Sequence, residues 1–165
     1  MGSGCIEFMA RKTIEEKKDE IVYDLHAILN LSISEKMKNK VIHLATWAWS
    51  QLPGKISKAN HWSKLAVTFS AERKNKNLTF EHVVPRSVIA KILLDKKPIT
   101  PEKIREILEK YCFGCIVTND EDNRLTQNKL RNKMPSGWIE GDDEWARYKF
   151  IKPTIEIQKA PRNFI

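Results

Sequence analysis

Glu81 and His82 are adjacent, and with Asn123 further along they are the residues whose types and order could carry chemistry. A histidine can take a proton from water near neutral pH, and a carboxylate paired with an amide oxygen can hold a divalent cation. Magnesium asks for few protein ligands, because waters and substrate oxygens complete its shell. Such a set is sufficient to hydrolyse a phosphodiester: the base activates water and the cation offsets charge on the phosphate and the leaving oxygen.

Positioning these groups falls to two short strands and a helix. Leu78 to Pro85 reads Leu-Thr-Phe-Glu-His-Val-Val-Pro, rich in β-formers and closed by a proline that cannot donate to a ladder. Neighbouring strand residues point to opposite faces. Glu81 and His82 therefore share one site only if the chain bends there, which Pro85 allows. Cys112 to Thr118 reads as a second strand. Asp120 to Met134 reads as a polar helix with Asn123 in its first turn, broken by Pro135-Ser136-Gly137. Two helices lie between the strands. Ser87 to about Leu94 is the first, and the second opens at Thr100-Pro101-Glu102 and continues through Ile104, Ile107, Leu108 and Tyr111. Upstream, a capping-box pattern at Thr13-Ile14-Glu15-Glu16 starts a helix running to about Asn30, with Ile21, Val22, Leu25, Ile28 and Leu29 on one face. Ser32-Ile33-Ser34-Glu35 starts a second, with Met37, Val41, Leu44, Ala45 and Ala48 as its expected apolar stripe, closed by Pro53-Gly54. A third begins near Asn60 and runs through Leu65, Ala66 and Phe69, and the basic stretch from Arg73 to Lys76 is a turn or loop. A last helix spans about Asp143 to Phe150, and the tail beyond Pro153 is extended.

With the motif and its order in hand, a resemblance follows. Glu81-His82-Val83-Val84-Pro85-Arg86-Ser87 resembles the acid-His-aliphatic-x-Pro signature of HNH (ββα-metal) endonucleases. Ile116-Val117-Thr118 followed by Asp120-Glu121-Asp122-Asn123-Arg124 resembles their second strand and last-motif helix. The similarity is greatest to the HNH domain of RNA-guided CRISPR DNA nucleases, and it covers residues 78–135, about a third of the chain. It implies Glu81 and Asn123 as metal ligands, His82 as general base, and Asn119 as the residue that orients the base. It also implies Mg2+ or Mn2+, since no histidine stands at the helix position. The chain departs from the family in carrying Glu where Asp is commoner, and in the helical pair inserted between the strands. Arg124, Lys129, Arg131 and Lys133, with Arg86, are the side chains expected to clamp a nucleic-acid backbone.

The expected fold is α+β: a ββα-metal core over residues 78–135 with an inserted helical pair, packed on an N-terminal three-helix layer over residues 9–77. A C-terminal helix and tail over 136–165 complete one compact unit. Residues 1–8 read as an expression scar, with Met9 as the native start.

Bulk properties agree with a globular chain: 41% hydrophobic and 30% charged residues exclude global disorder. No apolar run approaches the length that spans a bilayer, and no signal peptide follows Met9, so the expected location is cytoplasmic. The net charge of +8 is concentrated in residues 9–80, where basic side chains outnumber acidic ones by six. That bias fits attraction to a phosphate polymer, although interspersed lysines also serve solubility. Cys112-x-x-Cys115 has no second cysteine pair and no paired histidine, so a structural zinc is not expected and two reduced, partly buried thiols are. Trp47 and Trp49 lie beside an apolar helical stripe and read as core. His61 could support the site from nearby, while His26 and His43 read as structural.

The reading that joins these observations is a metal-dependent endonuclease acting on double-stranded DNA, of restriction, defence or mobile-element type. A nuclease toxin or RNA-cutting relative would use the same motif. A basic nucleic-acid-binding module without catalysis is the alternative from another class. Cutting both strands at a defined sequence usually takes two active sites, so a homodimer is expected.

Overall fold

The computed structural model describes residues 12–52, 59–72 and 74–160. Residues 1–8, Pro53-Gly54 and Arg73 lie outside these. None of the described helices is long and apolar enough to cross a membrane.

The molecule is α+β. Its elements, in chain order, are α1 (Ile14–Asn30), α2 (Glu35–Gln51), β1 (His61–Ser63), α3 (Lys64–Ala71), β2 (Leu78–His82), α4 (Arg86–Asp95), α5 (Pro101–Tyr111), β3 (Gly114–Thr118), α6 (Asn119–Gln127), α7 (Ala146–Phe150) and β4 (Ile157–Lys159). The strands form one sheet in the order β2-β3-β1-β4. β2 and β3 are antiparallel, with Leu78 opposite Thr118 and His82 opposite Gly114. β1 runs parallel to β3 and antiparallel to β4.

The caps form as the sequence predicts. Thr13 and Glu16 make the reciprocal capping box of α1, and Thr100 caps α5 with Pro101 in its first turn. The pleat sorts the sheet's two faces. Trp62, Ile116 and Ala66 pack on the α3 side, while Cys115, Val117, Leu125 and Tyr148 pack on the side of α6 and α7. A separate apolar cluster joins α1, α2, α4 and α5 at the end of the sheet where β2 stops and β3 starts.

This last cluster corrects two expectations. The first three helices do not form a layer of their own: α1 and α2 pack on the α4–α5 pair, and α3 lies against the sheet. A short strand, β1, precedes α3, because Trp62 in extended backbone aligns with Ile116 of β3. The buried face of α2 is also rotated from the expected stripe. Ile42, Thr46, Trp49 and Ser50 point inward, whereas Met37, Leu44 and Trp47 are exposed. Polar side chains make the inward face possible because each has a partner: Thr46 Oγ1 donates to Ile42 O at 2.8 Å, and the buried Lys38 donates to Leu29 O at 2.6 Å at the end of α1.

α6 is shorter than its polar run suggests. Lys129 takes a left-handed backbone, φ 59°, and two backbone bonds close the helix end, Lys129 N to Thr126 O and Leu130 N to Leu125 O, both 2.9 Å. Leu125 and Leu130 then meet in the same apolar cluster. This is a Schellman termination, built without the usual glycine.

Candidate active site

β2 delivers Glu81 and His82, and its pleat sends them apart. Glu81 stands across from Cys115 and His82 across from Gly114. Glu81 therefore faces α7, and His82 faces α2.

Glu81 is held by two neighbours in sequence on α7. Arg147 donates to its Oε1 at 2.6 Å and its Oε2 at 2.8 Å, and the Tyr148 hydroxyl donates to Oε2 at 2.7 Å. Arg147 is fully buried. Its guanidinium also donates to Val83 O at 3.0 Å, to Leu130 O at 2.6 Å and to His82 O. All three guanidinium nitrogens are thus used, as a buried charge requires. Burial pushes the Glu81 carboxyl above the ordinary glutamate value, with Arg147 and the Tyr148 hydrogen bond pulling it back and Asp122 of α6 adding to the rise. Burial and then Glu81 push the Tyr148 phenol well above its usual value, which keeps it a donor.

His82 is held on the other side. Its Nε2 lies 3.1 Å from Ser50 Oγ, and Ser50 Oγ donates to Trp47 O at 2.8 Å within α2. The ring stands edge-on to Phe80, with centroids 5.3 Å apart. Burial, then the charges of Arg86 and Arg147, push its pKa down to about 4. The imidazole is accordingly neutral at neutral pH and keeps a lone pair for a proton. Phe80 can occupy this position only because residue 114 has no side chain: a Cβ added at Gly114 would overlap the Phe80 ring. Gly114→Ala is expected to displace Phe80, lower stability by about 1–3 kcal/mol and move the His82 ring resonances. Urea denaturation and NMR measure the two effects.

Basic side chains gather at this end of β2. The loop after α6 is tied to the turn following His82 through Arg147 to Leu130 O, and through Ser87 Oγ, which donates to Asn132 O at 2.6 Å. Lys129, Arg131 and Lys133 are exposed on that loop. Arg86 lies beside His82, and its Nη1 donates to His43 O at 3.1 Å. Arg124 is placed differently: its Nη1 donates to Pro153 O at 2.5 Å, tying α6 to the C-terminal segment.

Asn119 lies away from this end of β2, and Asn123 is exposed to solvent. Asn119 sits just after the Leu78–Thr118 end of the hairpin, where its amide donates to Lys76 O. Four residue steps along the strand, roughly 13 Å at about 3.3 Å per residue, separate that end from His82. Asn123 is exposed on α6, whereas Asp122 is the α6 residue whose charge bears on Glu81. The helix turns its Glu121 and Leu125 inward, and this phase carries Asn123 outward. Ser50, Arg147 and Tyr148 hold the two central residues, and none of them belongs to a recognisable motif. His61 packs between Phe113 and Trp145.

The donor set does not fit a divalent cation in this arrangement. Glu81 already has a guanidinium on both oxygens, and a cation beside Arg147 would face its full charge. Among the described residues, no group of three or more His, Cys, Asp or Glu side chains is placed to hold a metal. Cys112 and Cys115 are buried, and burial raises the Cys112 thiol to about 12 and the Cys115 thiol further. Both thiols are packed in the interior. No protein-family model, curated protein or solved structure matches the chain.

Proposed function

We propose that the chain is an endonuclease of HNH type that hydrolyses phosphodiester bonds in double-stranded DNA, with His82 as its general base. The observation that carries this reading is the placement of a neutral, anchored histidine at the end of an antiparallel strand pair, beside a loop of exposed basic side chains tied to the same turn. The antiparallel pairing of β2 with β3, followed in the chain by α6, supports the reading.

In this reading Lys129, Arg131, Lys133 and Arg86 attract the phosphate backbone and offset charge that builds on the phosphate. His82 takes the proton of the attacking water. Approach of an anionic phosphate raises the basicity of His82, because a negative charge favours the imidazolium. Mg2+ and Mn2+ are the cations that the resemblance implies. Glu81 is already paired with Arg147 on both oxygens, so neither cation is given a role through it.

Supercoiled plasmid and a structured RNA, each incubated with the protein in Mg2+, Mn2+ or EDTA, test the proposal. Conversion of plasmid to open-circle or linear form is the expected result. Cutting confined to RNA assigns the chain to the RNA-cutting relatives. Binding without cutting in any of the three conditions sinks the nuclease reading and leaves a nucleic-acid-binding module.

A further inference from the structure

The hydroxyl of Ser50 has one proton and two acceptor lone pairs. Trp47 O, 2.8 Å away, is the nearest acceptor for that proton. With that proton given to Trp47 O, Ser50 Oγ accepts at 3.1 Å from His82 Nε2, which then carries the ring hydrogen. The other nitrogen, Nδ1, has no hydrogen-bond partner among the described residues.

We infer that Ser50 is a positioning residue: it fixes His82 as the Nε2–H tautomer and makes Nδ1 the nitrogen that accepts the proton in catalysis. Nε2 is not available for that task, because it faces a buried serine on α2. The ring is held from three directions. Ser50 anchors Nε2, Phe80 supports a ring edge, and Arg147 grips the peptide carbonyl of the same residue. The N-terminal helices thereby contribute to the site a part that the β2–β3–α6 segment lacks. Ser50 also lines a cavity of about 330 Å3 with Trp49, Phe80 and Phe113, so the extra methyl of Ser50→Thr has space while its hydroxyl remains.

The inference rests on the nuclease reading for its rate consequence but not for its tautomer. Side-chain 15N NMR of the full chain reads the tautomer directly. In wild type, His82 shows a protonated Nε2 and a bare Nδ1. Free imidazole already leans toward this form, so the comparison with Ser50→Ala discriminates. In Ser50→Ala the Nε2 resonance moves and the two nitrogens tend toward averaged shifts, while Ser50→Thr keeps the wild-type pattern. In cleavage assays Ser50→Ala lowers kcat at least about tenfold, part of the general-base contribution, with KM little changed, and Ser50→Thr restores it. A protonated Nδ1 in wild type overturns the inference, as do unchanged His82 shifts in Ser50→Ala. If the tautomer behaves as stated but wild type cuts no nucleic acid, the nuclease reading fails and the positioning of His82 stands.

Discussion

Arg147→Leu lowers the stability of the fold by about 3–5 kcal/mol, the range seen when one partner of a buried ion pair is removed. Against a total of about 5–15 kcal/mol for an ordinary domain, this is enough to leave much of the chain unfolded at 37 °C. Glu81 would be left buried with only the Tyr148 hydroxyl for support, and three carbonyls, those of His82, Val83 and Leu130, would lose their donor. Those carbonyls belong to the turn after β2 and the loop after α6, so both would loosen together. Combining Arg147→Leu with Glu81→Leu recovers part of the loss, because it removes the unpaired charge but not the stranded carbonyls. Urea midpoints of the wild type, both single variants and the double variant measure the coupling. If Arg147→Leu unfolds at the wild-type midpoint, the clamp described here does not hold the site.

His82→Ala removes about 10^2- to 10^4-fold of the cleavage rate, the contribution of a well-placed general base. Substrate binding should change little, since the proposal assigns affinity for the phosphate backbone to Lys129, Arg131, Lys133 and Arg86. The fold should survive, because the imidazole is neutral and makes one side-chain hydrogen bond, to Ser50. The contrast with Arg147 separates two roles that lie side by side. One residue holds the turn, and the other is proposed to act from it. Rates under single-turnover conditions on a labelled duplex, with affinity taken from the same substrate, read both quantities.

Much of the frame was legible because it rests on local signals. Thr13 with Glu16, and Thr100 with Pro101, announce helix starts through backbone capping that needs no tertiary partner. The β-forming run that ends at His82 was legible for the same reason. The end of α6 was not, because the residue that takes the left-handed backbone is Lys129 rather than glycine. Nor was the inward face of α2: the apolar stripe of Met37 and Leu44 faces outward, and Thr46, Ser50 and Lys38 turn inward because long-range partners and backbone carbonyls accept them. At the site, His82 was found by its motif. Its supports, Ser50 on α2 and Arg147 on α7, are far from it in sequence and carry no pattern of their own. Asn119 and Asn123 were placed by order along the chain. Register puts the first at the wrong end of the hairpin, and helical phase turns the second outward.

As proposed, His82 takes the proton of the water that attacks a phosphodiester bond. Wild type and His82→Ala are compared on one DNA duplex, at matched occupancy, for strand cleavage. Cleavage by wild type that falls at least a hundredfold in His82→Ala, with binding retained, is the predicted result. Equal cleavage by the two proteins would contradict it.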